Sequence, residues 1–151
     1  SSPEKNEQLM ANQLSLEVVT PHRTVLIEDV DSVTLPGIEG ELGILPEHIP
    51  LLTTLDTGIM SYTSNGNKQV IAVHWGYAQV EGNSVRVLAE LAETAEEIDL
   101  QRAKEAEKKA KNMLVSGISS TTDLEDEQSR QKKYEGKLKR SIVRQTVAQF
   151  H

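Results

Sequence analysis

The sequence predicts a β-sandwich followed by an antiparallel hairpin of two α-helices. Residues 14–92 hold short apolar and β-rich runs separated by turn-forming residues, a pattern typical of antiparallel sandwiches and barrels. From Glu93 onward the pattern changes to the spacing of helices. The 151 residues are enough for one good core with an appended element.

The sequence of the first module predicts a series of short strands. Residues 14–19 alternate with the period of two that a half-buried strand requires. The pairs Asn65-Gly66 and Gly82-Asn83 each separate two such runs and predict tight hairpin turns, the first of type I′. The remaining predicted runs are Thr24–Ile27, Ser32–Leu35, Leu42–Leu45, Leu51–Leu55, Ile59–Thr63, Val70–His74, Tyr77–Val80 and Val85–Leu88.

Residues 1–13 are expected to be an extension or a vector-derived stretch that takes no part in the fold. They lack the apolar segment of a signal peptide, and Met10 followed by Ala11 resembles a natural start. No run of about 18 apolar residues occurs anywhere in the sequence, so no direct membrane insertion is expected.

The first helix has two candidate N-caps. Thr94 with Glu97 fits a capping box, and Asp99 is an equally good capping residue. Small residues then recur at helical spacing, which favours the close approach of a second helix. These residues are Ala103, Ala106, Ala110 and Met113.

The second helix is predicted to follow a loop at residues 117–122. Thr122 with Glu125 offers its capping box, and helical composition continues to about Gln149. Tyr134, Leu138 and Ile142 form a thin apolar stripe, with Gly136 in the middle of the helix. Five cations spaced three and four residues apart share one stripe of this helix: Arg130, Lys133, Lys137, Arg140 and Arg144.

The charge of the chain is divided unevenly between the modules. Residues 1–98 contain 15 acidic and 4 basic residues, whereas residues 99–151 contain 8 acidic and 12 basic residues. The basic stripe fits a solvated helix face, a nucleic-acid surface or a docking surface for an acidic protein. Aromatic residues make up only 3% of the chain, so base stacking is disfavoured and no nucleic-acid partner is expected.

Nothing in the sequence predicts catalysis or a metal site. The chain has no cysteine, and its histidines are scattered at His22, His48, His74 and His151. Gly37, Gly40 and Gly43 lack the spacing and the following helix of a phosphate-binding loop. The adjacent carboxylates Glu96 and Glu97 lie on a polar stretch and are expected to be solvated.

The segment Gly40–Leu52, GELGILPEHIPLL, resembles the signature of the epsilon subunits of F-type ATP synthases, called delta in mitochondria. The family pattern is G-E-L-G-I-L-P-x-H-x-P-L-L. The positions of its glycines, prolines and histidine are not those of a generic strand. The resemblance extends over residues 14–150. Further matching segments are Leu16–Pro21, Gly76–Val80, Val85–Ala89 and Ile98–Ala103.

The resemblance implies a ten-stranded β-sandwich at residues 14–92 and a regulatory helical hairpin at residues 93–151. It implies a non-catalytic central-stalk (rotor) subunit of a proton-translocating enzyme, peripheral to an energy-coupling membrane. The side would be cytoplasmic in a bacterium and stromal or matrix in an organelle. Glu39, Glu41 and His48 match positions in the segment that faces the gamma subunit and the c-subunit ring.

The hairpin of such proteins can reach the alpha and beta subunits of the catalytic head and inhibit ATP hydrolysis. The basic stripe on the second helix suits an acidic surface there, because several parallel ion pairs outweigh a single exposed one. The resemblance therefore favours protein docking over the other two interpretations of the stripe.

The resemblance also implies a regulatory ATP site, with no cofactor required for the main role. An alternative function is an independent ATP sensor, and Asp99 also fits a plain N-cap. Lys109 stands where ATP-binding members carry an arginine. The residues that match the ATP pattern are Glu93, Ile98, Asp99, Arg102, Ala103, Lys109, Arg140 and Arg144.

Overall fold

The computed structural model describes residues 12–116 and 124–150 of the chain. Residues 1–11 of the extension predicted at residues 1–13, and the predicted loop at residues 117–122, lie outside these ranges. The strands are β1 (Leu14–Val19), β2 (Thr24–Val30), β3 (Ser32–Gly37), β4 (Gly40–Ile44), β5 (Leu51–Leu55), β6 (Gly58–Ser64), β7 (Asn67–Glu81) and β8 (Ser84–Thr94). A 3₁₀ turn at Ala95–Glu97 precedes helices α1 (Leu100–Ser116) and α2 (Leu124–Ala148).

The described residues form two compact units, one ending at Thr94 and the other beginning at Ala95. In the first unit the strands are hydrogen-bonded in the order β2-β1-β8-β7-β5-β3-β4, and β6 pairs with both β3 and β7. Neighbours are antiparallel except β1 and β8, which run parallel. The predicted fold class, a sandwich followed by two helices, is confirmed.

The described strands number eight, whereas the resemblance implied ten. Two predicted runs, Val70–His74 and Tyr77–Val80, belong to the single strand β7. The partner of β7 changes from β6, which ends at the pair Gly58↔Val73, to β5, which ends at Leu55↔Gly76. Trp75 and Gly76 lie at this change with φ of 57° and 156°, so β7 turns without losing its register with β8.

The predicted hairpin turns are present. Asn65 and Gly66, between β6 and β7, have φ of 52° and 79°, and a type I′ turn requires positive φ at both positions. Gly82, between β7 and β8, has φ of 60°. These turns set the registers that send alternate side chains of each strand into the core.

The core of the sandwich is built from the inward side chains of the strands. Its fully buried large side chains include Leu14, Leu16, Val18, Val30, Val33, Leu35, Ile44, Leu55, Met60, Ile71, Val73, Val80, Val85 and Val87. Burial of each of these side chains contributes about 1.5–3 kcal/mol to the stability of the fold. The loss of conformational entropy on folding opposes this contribution.

Helix α1 begins after Asp99, one of its two predicted caps. The Asp99 side chain accepts a hydrogen bond from the backbone N–H of Arg102 at 3.0 Å, the usual N-cap geometry. The predicted small-residue face of α1 is confirmed, since Ala103 and Ala110 are buried and Ala106 is half-buried.

The buried side of α2 differs from the predicted apolar stripe. Ser141, Val143 and Val147 are buried, whereas Ile142 is 45% exposed. The prediction assigned Ile142 to the stripe of Tyr134 because they are eight residues apart. Adjacent positions on a helix lie about 100° apart, so burial of Val143 turns Ile142 outward.

Candidate functional site

The three sequence-predicted partner residues of the sandwich lie in or beside its connecting loops. Glu39 is exposed in the turn between β3 and β4, and Glu41 is exposed on β4 opposite Pro36. His48 is half-buried in the β4–β5 loop. Its Nδ1 lies 2.7 Å from the backbone oxygen of Ile49.

The β4–β5 loop is anchored and carries exposed apolar side chains. The backbone N–H of Glu47 donates to Oδ1 of Asn83 at 2.7 Å, which ties the loop to the β7–β8 turn. Leu45 and Ile49 are 63% and 77% exposed in the free chain. The loop therefore presents apolar contacts alongside the predicted carboxylates.

A second apolar surface lies on the outer face of the sandwich. Val19, Leu88 and Tyr77 are in register across β1, β8 and β7, with their side chains on the side away from the core. Trp75 packs edge to face against Tyr77, with ring centroids 5.5 Å apart. We call Val19, Trp75, Tyr77 and Leu88 the docking face.

The docking face lines an open groove of about 520 Å³. Trp75, Tyr77 and Leu88 are 47%, 45% and 44% exposed. Clustered large apolar side chains on a surface mark interaction sites far more often than scattered ones do. The sequence analysis missed this face, although outward alternation around the one tryptophan of the chain was the signal for it.

The basic stripe is present on α2, but its members differ in environment. Lys133 and Lys137 are exposed, whereas Arg130, Arg140 and Arg144 are half-buried. In the parts of the two helices that are described, Arg130 approaches Sδ of Met113 on α1 at 3.9 Å, a weak acceptor. Arg130 therefore belongs partly to the helix–helix interface.

Three cations surround one aromatic ring on α2. The Arg130, Lys133 and Lys137 side chains lie 5.8, 5.6 and 5.4 Å from the centroid of the Tyr134 ring. Each distance is within cation–π range, about 6 Å. Tyr134 thus holds a compact cluster of positive charge on the helix.

The predicted ATP-binding residues lie mainly on the hairpin. Asp99 and Arg102 are exposed at the start of α1, whereas Ala103 is buried. Ile98 immediately precedes the cap, and its backbone N–H donates to the oxygen of Ala95 at 3.4 Å. The Asp99 carboxylate is engaged as the N-cap of α1.

The register of the hairpin places the remaining candidates. Nε2 of Gln145 donates to Oε2 of Glu107 at 3.3 Å, so these two positions lie at the same level of the antiparallel pair. With a rise of 1.5 Å per residue, Arg102 and Arg144 are separated by about 9 Å along the helix axes. Arg102 and Arg140 are separated by about 15 Å, and Lys109 lies near the level of Arg144.

Glu93 lies in the sandwich unit near the end of β8. Its Oε1 accepts a hydrogen bond from Nε2 of His74 at 2.9 Å, and His74 is only 4% exposed. This pair joins two neighbouring strands of the sheet, which is a structural role for the Glu93 carboxylate.

No group of three or more potential metal-ligating side chains occurs within residues 12–116 and 124–150. Neither described helix is long and apolar enough to cross a membrane.

Residues 13–95 match the family described as the ATP synthase delta/epsilon chain, β-sandwich domain. The chain is 44% identical over 139 residues to the ATP synthase epsilon chain of Geotalea uraniireducens, covering 92% of this chain and 96% of that protein. It is 52% identical over 106 residues to the epsilon chain of Carboxydothermus hydrogenoformans, covering 70% of this chain and 79% of that protein.

A similar fold occurs in the solved structure of the Euglena gracilis mitochondrial ATP synthase, OSCP/F1/c-ring in one rotational state. The match has a TM-score of 0.73 at 23% identity and covers 87% of this chain and 79% of that one.

Proposed function

Because this chain belongs to the delta/epsilon family of ATP synthase subunits, we propose that it is a non-catalytic central-stalk subunit that couples gamma to the c-subunit ring. The docking face is the observation that carries this proposal. Its three large side chains remain 44–47% exposed on a well-packed sandwich, as expected of a surface that is covered in an assembly.

We assign the docking face to the gamma subunit and the β3–β4 turn and β4–β5 loop to the c-ring. The loops present Glu39, Glu41 and His48 together with exposed Leu45 and Ile49. Apolar centres surrounded by charged residues are the usual anatomy of a non-obligate interface.

The hairpin is proposed to inhibit ATP hydrolysis by docking on the acidic surfaces of the alpha and beta subunits. The cluster around Tyr134 supports this role, since Lys133 and Lys137 are exposed and make no ion pair in the described part of the chain. Charges held in this way contribute to steering and register more than to raw affinity.

A double charge reversal tests the inhibitory surface. In a complex reconstituted with this chain, Lys133→Glu combined with Lys137→Glu is expected to raise ATP hydrolysis about threefold, because two favourable contacts become repulsive. The measurement is the steady-state rate of phosphate release.

The matched control for the reversal lies on α1. Lys104 and Lys108 are also exposed lysines one turn apart, so reversing both changes the net charge equally. The control is expected to leave the rate unchanged. Equal effects of the two double variants would contradict a specific inhibitory surface on α2.

ATP is proposed as a regulatory ligand of the hairpin. Arg102 and Arg144 lie about 9 Å apart along the axes, a gap that two long guanidinium side chains can bridge to one phosphate chain. Asp99 lies three residues before Arg102, on the same end of α1.

Two substitutions at Asp99 separate capping from ATP binding. Asp99→Ala is expected to destabilise the hairpin by about 1 kcal/mol, whereas Asp99→Ser retains a capping oxygen and most of the stability. If the carboxylate recognises ATP, both variants lose affinity in isothermal titration calorimetry. Undiminished ATP affinity in Asp99→Ser would leave Asp99 with the capping role alone.

A further inference from the structure

The backbone of Trp75 is strained, although 47% of this residue is exposed in the free chain. Its φ of 57° lies in the left-handed region, which costs a residue with a Cβ about 1–2 kcal/mol. For a bulky residue such a conformation is a genuine outlier. The turn of β7 from β6 to β5 imposes this conformation on whichever residue occupies position 75.

The Trp75 side chain is only partly packed within the free chain. The residue is 47% exposed, and its ring packs against that of Tyr77, which is itself 45% exposed. Glycine adopts positive φ without a Cβ penalty and would satisfy the turn. Strained residues of this kind cluster at functional positions, where binding supplies what the free fold lacks.

We propose that Trp75 is the specificity-determining anchor of the docking face and that its ring is buried by the gamma subunit. The proposal rests on the assignment of that face to gamma and goes beyond it by naming the residue that dominates affinity. Interface energies concentrate in a few central residues, and tryptophan is prominent among them.

Charge favours a basic, apolar-centred partner over a second copy of this chain. Glu90 lines the groove beside the docking face, and Arg86 is engaged by Glu17 at 3.6 Å. The whole chain carries a net charge of −7, so two copies would repel each other. The surface that complements this face therefore has apolar side chains at its centre and basic side chains at its rim, and we expect gamma to present it.

Trp75 is the one tryptophan of the chain, so labelling with 5-fluorotryptophan gives a single ¹⁹F resonance that reports its environment. Titration of the full-length labelled chain with purified gamma is expected to shift this resonance. Trp75→Gly is expected to weaken binding about thirtyfold by calorimetry. Its Tm is expected to stay within a few degrees of the unmodified chain or to rise.

Val115→Ala is the matched control, because Val115 is an apolar residue, 83% exposed, on α1 in the second unit and outside the docking face. It is expected to bind gamma normally. A fall in Tm of more than about 10 °C in Trp75→Gly would show a structural role and overturn the proposal.

The outcomes separate this inference from the proposed function. The unmodified chain could bind gamma without a shift of the ¹⁹F resonance, and Trp75→Gly could bind equally well. That result would show that Trp75 is not the anchor, and the proposed role as a stalk subunit would stand. If the unmodified chain does not bind gamma, both fail. A resonance that shifts with chain concentration alone identifies a second copy as the occupant and also overturns the proposal.

Discussion

Gly76→Ala is expected to destabilise the sandwich by about 4 kcal/mol or more, enough to unfold much of the population at 37 °C. A Cβ at this position would lie 2.2 Å from the backbone oxygen of Leu88 and 2.8 Å from Cα of Ala89. Both atoms belong to the backbone of β8, which is paired with β7 and has no room to retreat. Urea unfolding followed by the fluorescence of Trp75 measures the loss directly.

Two other glycines provide reference values for the loss of stability expected at Gly76. Gly43 has open space around its Cβ position and no positive φ, so Gly43→Ala is expected to be nearly neutral. Gly82 has φ of 60° but also open space, so Gly82→Ala is expected to cost about 1–2 kcal/mol. If Gly76→Ala lowers the free energy of unfolding no more than Gly82→Ala does, the backbones of β7 and β8 do not approach each other as closely as described.

Deletion of the hairpin after Glu97 is expected to have the largest effect on activity. A complex reconstituted with residues 1–97 should hydrolyse ATP at least about fivefold faster than one with the full chain, the lower range of typical regulatory couplings. The reason is that the deletion removes α2, which carries the proposed inhibitory cations, and retains the docking face. Phosphate release under steady-state conditions is the measurement.

The control for the deletion is occupancy of the complex. The truncated subunit must remain bound, which gel electrophoresis of the purified complex establishes. An unchanged rate with the truncated subunit in place would contradict inhibition by the hairpin and leave the coupling role untouched.

Features governed by local chemistry were predictable from the sequence. The turn at Asn65 and Gly66 follows from the tolerance of asparagine and glycine for positive φ. The start of α1 after Asp99 follows from the capping preference of aspartate, although Thr94 competed for it. The small-residue face of α1 follows from helical spacing alone.

Features set by tertiary packing were not predictable. Trp75 adopts a left-handed conformation that its residue type disfavours, and only the exchange of β6 for β5 along β7 requires it. The sequence pattern therefore predicted two strands where the structure has the single strand β7. Ile142 and Val143 are adjacent apolar residues on α2, and which of them is buried depends on the packing of the helix.

The docking face was missed for the same reason. Val19, Tyr77 and Leu88 are distant in sequence and meet only through the registers of β1, β7 and β8. The resemblance drew attention to Glu39, Glu41 and His48 because their motif is contiguous.

Binding of gamma by the sandwich of this stalk subunit is the interaction on which its proposed role depends. Size-exclusion chromatography with light scattering of the full chain mixed with purified gamma at micromolar concentration tests it most directly. A single peak with the mass of a 1:1 complex is the predicted result. Separate elution of the two proteins at their own masses would contradict the claim.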